Sequence, residues 1–212
     1  MIYSAKSKHD VKIYIQPQYR VQIPVAAAFN RGIRQALNDG CDAVIVSNDD
    51  ILYGPDTIDR MVDAIFSADE DTVMVFPTNV VTMLDDPSEI LFGDIEANGA
   101  DNVEDQNYAS FIIKPDFFDK CGTFDENFDP AWWEDTDMKY RIHLLGLNSL
   151  QTDIPYVHLM HQTTKRTHLP INSLKSGEYY NRKWGSNNKD LNELYKTPYN
   201  DPSLSPKEWR KL

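Results

Sequence analysis

The spacing of apolar residues along the chain predicts helices and strands in alternation. Apolar side chains that recur every three or four positions predict three helices, over residues 24–40, 55–65 and 135–146. Prolines stand near the starts of the first two, and glycines stand at the ends of the first and the third. Short β-branched runs predict strands over residues 11–15, 43–46, 72–76, 110–114 and 149–157. This alternation favours an α/β fold, a three-layer sandwich with a mixed, mostly parallel central sheet flanked by helices.

Two stretches lack a clear period. Residues 90–107 are rich in Asp, Glu, Asn and Gly, and a loop of that length is typical of a functional lid or an insertion. The polar and aromatic stretch 171–212 has weak periodicity, so we expect it to wrap over the domain.

Length and composition predict a single domain over residues 1–212. Cys41 and Cys121 lie beside apolar sequence, and we expect them to be small buried thiols in a reducing compartment. No apolar run approaches the roughly 20 residues of a membrane span, and the N-terminus is too polar for a signal peptide. These features predict a soluble, cytoplasmic protein without a membrane span.

The charge of the chain narrows its possible partners. A net charge of −12, from 33 acidic and 21 basic residues, argues against nucleic-acid binding, which depends on Lys and Arg at the phosphates. Clustered carboxylates can still hold a divalent cation that carries the phosphates of a ligand. The positions of the carboxylates therefore matter more than their number.

An acidic turn, Asn48-Asp49-Asp50, directly follows the predicted buried strand 43–46. Adjacent carboxylates repel each other unless a positive charge is near, and Mg²⁺ or Mn²⁺ supplies one. Asn and Asp also cap turns readily, so this spacing alone leaves a structural explanation open.

The stretch VIVSNDDILYGPD, residues 44–56, resembles the metal-binding Asp-X-Asp segment of the inverting family 2 glycosyltransferases of the GT-A fold. The resemblance implies that Asp50 binds Mn²⁺ or Mg²⁺, that Asn48 faces the ribose, and that Asp49 lies between them. The stretch around Asn30 and Arg31 is similar to the helix start beneath the donor pyrophosphate in that family. A helix with one polar face would look the same.

A second acidic cluster follows Gly122, with the sequence GTFDENFDPAWWEDTDMKYR over residues 122–141. A carboxylate at a helix start can take the proton of an attacking acceptor hydroxyl. The cluster resembles the second motif of the same family, which implies that Asp135 is the base and Glu134 shapes the acceptor site. Trp132 and Trp133 would stack on sugar rings. The alternative is that the acids complement the helix dipole and that the tryptophans are core residues.

Two further elements complete the implied donor site. Many relatives have a histidine after the last strand that binds the metal or the diphosphate, which implies His158, with His161 in reserve. Lys165 and Arg166 would reach the leaving diphosphate from a loop.

The resemblance implies a metal-dependent glycosyltransferase that moves a sugar from a UDP-sugar donor to a hydroxyl of a glycan or glycoprotein acceptor. Residues 1–115 would form the donor and metal half, 116–170 the acceptor and catalytic half, and 171–212 the C-terminal wrap. The chain is also similar to the small GT-A glycosyltransferases of large algal viruses. The acidic motifs leave open whether the anomeric configuration is inverted or retained.

Two other functions compete with this interpretation. A sugar-phosphate nucleotidyltransferase would use a similar metal site but usually has a Gly-rich, basic loop near its N-terminus, which this chain lacks. A non-catalytic carbohydrate-binding module would gather its carboxylates in one loop, whereas here they fall into two clusters.

Overall fold

A computed structural model describes residues 7–16, 23–79, 108–159 and 173–184. These residues form an α/β protein with one mixed five-stranded sheet and five helices. The helices are α1 (Val25–Asn38), α2 (Thr57–Ser67), α3 (Phe117–Cys121), α4 (Glu134–Leu144) and α5 (Ser173–Trp184). The strands are β1 (Val44–Ser47), β2 (Ile51–Tyr53), β3 (Thr72–Asn79), β4 (Ser110–Ile113) and β5 (Asn148–His158). None of these helices is long and apolar enough to cross a membrane.

The chain divides into two compact units that interleave along the sequence. The first unit comprises Met1–Ile13, Ala43–Lys114 and Ser149–Leu169. The second comprises Tyr14–Asp42, Pro115–Asn148 and Pro170–Leu212. Helix α1 belongs to the second unit, and β5 from Ser149 onward belongs to the first.

The sheet belongs to the first unit and has the strand order β1-β4-β3-β5-β2. The three pairs with a defined register, β1 with β4, β3 with β4 and β2 with β5, are all antiparallel. The expectation of a mostly parallel sheet is therefore wrong for these pairs. Every residue of β3 and β4 is buried. A continuous apolar run in the sequence indicates that both faces of a strand are buried, but it does not indicate whether the strand is parallel or antiparallel to its neighbours.

The core of the first unit lies between the sheet and α2. The α2 residues Ile58, Met61 and Ile65 pack against sheet residues that include Val75 and Ile112, and all five are at most 7% exposed. Burial of side chains of this size contributes roughly 1.5–3 kcal/mol each. The Thr57 hydroxyl donates to the Pro155 carbonyl at 3.2 Å, which ties the start of α2 to β5.

The predicted strand at residues 11–15 is wrong, because the structure shows no regular element there. Its alternating apolar side chains are solvent-exposed, from 45% for Val11 to 79% for Ile15. Polar contacts hold this part of the chain instead, at Ser7 and at Tyr14. The Ser7 hydroxyl donates to Asp59 at 2.6 Å, and the Tyr14 hydroxyl donates to Asp39 at 2.7 Å.

The three predicted helices are confirmed as α1, α2 and α4. Gly40 and Gly146 follow α1 and α4 with φ of 75° and 67°, the left-handed conformation that favours glycine at a helix end. Of the two thiols, Cys121 is buried as expected, whereas Cys41 is partly exposed, and neither forms a disulfide.

The second unit has a charged core on α4 and α5. The Asp137 carboxylate accepts hydrogen bonds from Arg141 Nε at 3.0 Å and from Trp184 Nε1 at 2.7 Å, and it also pairs with Lys183 Nζ. Lys183 donates to Asp125 at 3.0 Å as well. These side chains are at most 2% exposed, so the second unit buries two carboxylates and two cations in one network.

This network fixes the charge state of Asp137. Burial alone would raise the pKa of its carboxyl, but the charges of Lys183 and Arg141 outweigh that effect and lower the pKa below its usual value. Asp137 is therefore an ionised anchor for α5, which occupies part of the stretch expected to be an irregular wrap.

Replacement of Asp137 by alanine should destabilise the protein strongly, because Arg141 and Lys183 would keep buried charges without their main partner. We expect a loss of about 3–5 kcal/mol in the free energy of unfolding, measured by urea denaturation. Lys175→Ala is the control, since it breaks an exposed pair with Asp129 and should cost at most about 1 kcal/mol. Equal effects of the two substitutions would contradict the importance of the network.

Candidate functional site

The first candidate site joins the acidic turn to the end of β5. Residues 48–50 connect β1 to β2, and β2 pairs with β5 so that Ile51 lies opposite His158. This register brings Asp50 Oδ1 within 3.0 Å of His158 Nε2. The two side chains are only 10% and 14% exposed. Two residues predicted to bind one metal, 108 positions apart along the chain, are therefore neighbours.

Backbone hydrogen bonds hold the turn on both sides. The Asn48 N–H donates to the Ala109 carbonyl at 2.9 Å, and the Leu159 N–H donates to the Asp50 carbonyl at 2.9 Å. The Asn48 and Asp49 side chains project into solvent, whereas Asp50 is turned inward. The turn thus separates two solvent-facing residues from one carboxylate aimed at His158.

The chemistry of Asp50 and His158 fits a divalent cation. The 3.0 Å between Asp50 Oδ1 and His158 Nε2 is a hydrogen-bond or ion-pair distance, and a carboxylate together with an imidazole is also a donor set that a transition-metal cation such as Mn²⁺ accepts. Within the part of the chain that the structure describes, His158 Nδ1 is buried without a hydrogen bond, and a polar atom of this kind often marks a missing ion or water. The described residues contain no group of three or more metal-binding side chains. Diphosphate oxygens and water would have to complete the coordination, as is usual for Mg²⁺.

Asn30 and Arg31, predicted beneath the donor pyrophosphate, lie on α1 in the second unit. Asn30 is fully buried, and its amide exchanges hydrogen bonds with the backbone of Phe124 at 2.8 and 2.9 Å. It also donates to Glu126 at 2.9 Å. These contacts give Asn30 a structural role in fixing the motif 122–128. Arg31 is exposed, and its predicted contact with the donor stays a prediction.

The second candidate site is the start of α4. Trp132 and Trp133 both have left-handed backbone conformations, with φ of 77° and 74°. Bulky residues rarely adopt this conformation, which costs roughly 1–3 kcal/mol each and clusters at functional sites. Trp132 is 47% exposed, whereas the Trp133 ring packs 5.1 Å from Tyr180. Of the two tryptophans, only Trp132 has the exposure that a stacking platform requires.

Glu134, the first residue of α4, is nearly buried at 9% exposure, and its Oε2 atom makes no hydrogen bond. Burial, and to a smaller extent the adjacent Asp135 carboxylate, raise the pKa of its carboxyl to about 8. At neutral pH this carboxyl is therefore mainly protonated.

Asp135 is the more accessible carboxylate of the pair. Its Oδ1 atom accepts hydrogen bonds from the backbone N–H of Thr136 at 2.6 Å and from the Thr136 hydroxyl at 3.3 Å. Asp137, the third acid, is ion-paired with Arg141 and Lys183 in the buried network. Three neighbouring acids thus occupy different environments, one buried and protonated, one partly exposed, one ion-paired.

Several predicted positions lie outside the described residues. These are Lys165 and Arg166, the reserve ligand His161, and the loop 90–107. Sequence reasoning missed Asn79, which ends β3 and accepts a hydrogen bond from the His158 N–H at 3.1 Å. A polar Thr-Asn pair after the apolar run 73–76 is the signal that could have identified it.

Comparison with known proteins gives no assignment. No protein-family model matches the chain, and a search of curated proteins finds no match. Function has to be argued from the two sites.

Glu134 should make stability fall as the pH rises. Its folded-state pKa of about 8 exceeds the ordinary 4.5, so between pH 5 and 7.5 the folded protein retains a proton that the unfolded chain releases. We expect the free energy of unfolding of the wild type to fall with pH relative to that of Glu134→Gln, by at most about 1.4 kcal/mol per pH unit. Urea denaturation across this range measures the difference.

The matched control is Glu178→Gln, which changes an exposed glutamate on α5 and should leave the pH dependence as in the wild type. A flat difference between the wild type and Glu134→Gln would show that Glu134 ionises normally.

Proposed function

We propose that the protein is a metal-dependent glycosyltransferase that transfers a sugar from a nucleoside diphosphate sugar, with uridine as the expected base, to a hydroxyl of a glycan or glycoprotein. The observation that carries the proposal is the nearly buried Asp50–His158 pair, 3.0 Å apart, at the turn after β1. The acidic motifs at residues 44–56 and 122–141 support the same reaction. A GT-A arrangement of the sheet and helices is part of the proposal.

In this mechanism the first unit holds the donor diphosphate. Asp50 and His158 would hold Mn²⁺ or Mg²⁺, which supplies positive charge to the diphosphate as it leaves. Asn48 and Asp49, exposed on the same turn, are proposed to face the ribose. Lys165 and Arg166 are proposed to add positive charge at the leaving group.

The second unit is proposed to supply the acceptor chemistry. The acceptor oxygen forms a bond to the anomeric carbon as the bond from that carbon to the diphosphate oxygen breaks. Asp135 takes the hydroxyl proton, since it is the accessible carboxylate at the start of α4. Glu134, mainly protonated, can donate a hydrogen bond to a sugar oxygen after a side-chain rotation. Trp132 offers an exposed ring for stacking on a sugar face.

Release of free nucleotide from a panel of nucleotide sugars should require Mn²⁺ or Mg²⁺ and should be fastest with a uridine donor. Asp50→Asn should reduce release strongly, because its neutral amide binds the cation poorly while nearly preserving side-chain shape. Asp69→Asn is the matched control, an exposed aspartate of the first unit that should behave as wild type. Undiminished release in excess chelator would contradict the metal bridge, and release from no donor would remove the proposed function.

Asp135→Asn should lower turnover by about 10²–10⁴-fold, the usual contribution of a general base, with little change in donor binding. Steady-state kinetics and calorimetric titration with uridine diphosphate measure the two quantities. Asp119→Asn, an exposed position on α3, is the control. Asp137→Asn, a control suggested by its sequence proximity, is unsuitable because Asp137 anchors the buried network.

Full activity of Asp135→Asn would mean that the acids only cap α4. Loss of donor binding in this variant would instead show that Asp135 is not a simple base, and a retaining mechanism would then explain the motif better.

A further inference from the structure

The last residue of β5 is held from both sides of the sheet. On one side it pairs with Ile51 of β2, through the register that places Asp50 next to it. On the other side lies β3, the neighbour of β5 in the strand order. There the His158 N–H donates to a side chain, the Oδ1 atom of Asn79, at 3.1 Å.

Asn79 is built into the sheet rather than placed on its surface. It is the final residue of β3 and only 1% exposed. A buried asparagine costs free energy unless its polar atoms are used, so its presence at a strand end calls for a specific partner. The His158 N–H is one such partner. A hydrogen bond to the backbone N–H of His158 fixes the position of the backbone from which the imidazole extends.

The His158 ring itself has few other constraints. Its Nε2 atom lies 3.0 Å from Asp50 Oδ1. Its Nδ1 atom makes no hydrogen bond. Metal-binding histidines usually have the second ring nitrogen fixed by an outer-shell partner, and this one does not. The polar group that orients His158 acts on its backbone instead.

We infer that Asn79 is a positioning residue that holds His158 beside Asp50 in the geometry needed for a divalent cation. This inference rests on the proposed function, because it concerns the same metal site. It makes the end of β3 a third component of the site, alongside the turn after β1 and the end of β5.

The test compares two substitutions at Asn79. Asn79→Leu keeps the approximate size but removes the acceptor, whereas Asn79→Asp keeps an oxygen in the Oδ1 position. The probe is Mn²⁺ with uridine diphosphate, followed by the enhancement of water-proton relaxation when the metal is held on the protein. We expect Asn79→Leu to weaken Mn²⁺ binding about 10–100-fold, the usual effect of losing an outer-shell partner, and Asn79→Asp to restore it.

Thr78→Val controls for a general loosening of β3 against β5. It removes the hydrogen bond that the neighbouring Thr78 hydroxyl donates to the Thr152 carbonyl, at a similarly buried position, without touching His158. Amide hydrogen exchange over residues 155–159, measured without metal, should rise in Asn79→Leu and stay near the wild-type rate in Asn79→Asp.

The outcomes separate this inference from the proposed function. Wild-type relaxation enhancement with unchanged binding in Asn79→Leu would overturn the positioning role and leave the metal site intact. Equal losses in Asn79→Leu and Thr78→Val would also overturn it, because sheet stability would then explain both. No enhancement with wild-type protein would count against the proposed function and would remove the inference with it.

Discussion

The second unit depends on one interaction, the contact of Lys183 with two carboxylates. Lys183 is fully buried and bridges Asp125 and Asp137. Asp125 also accepts a hydrogen bond from Tyr179 at 2.8 Å, and Asp137 accepts one from Trp184. The network therefore attaches α5 to both the motif 122–128 and α4. A buried ion pair adds little net stability compared with apolar packing, but it tolerates only one geometry. Here that geometry fixes the start of α4, where Trp132 and Asp135 lie.

The sequence predicted those elements whose burial is apolar and periodic. Helices α1 and α2 follow from the spacing of Ile33, Ile58, Met61 and similar residues, and β1 follows from a β-branched run. Helix α5 was missed for a physical reason. Its buried face consists of Ser176, Tyr180, Lys183 and Trp184, which have helical spacing but include a hydroxyl and an ammonium. Hydrophobic periodicity cannot identify a helix that is buried through ion pairs. The prediction of a strand at residues 11–15 was wrong for the opposite reason, because these residues have apolar alternation but pair with none of the strands in the described part of the chain.

The candidate site was predictable to different depths. The acidic turn identified Asp50, and distance from the strand end identified His158, so both members of the first site follow from local patterns. Their mutual distance does not, since it depends on the register between β2 and β5. The sequence also could not predict which of the acids Glu134, Asp135 and Asp137 is buried. Neighbouring acids on a helix point in different directions, and the tertiary fold decides which of them is buried. Asn79 required knowledge of which strands are neighbours.

The left-handed conformations of Trp132 and Trp133 have a consequence for how this protein can change. Backbone energetics at both positions favour glycine or asparagine over tryptophan. Replacement of either tryptophan by glycine or asparagine should therefore relieve backbone strain and tend to stabilise the fold. For the packed Trp133, lost contacts with Tyr180 would offset that gain, but the exposed Trp132 has little packing to lose. Selection for stability alone would therefore replace Trp132 before Trp133. Under the proposed function, Trp132 would be a position where fold stability and sugar binding favour different residues.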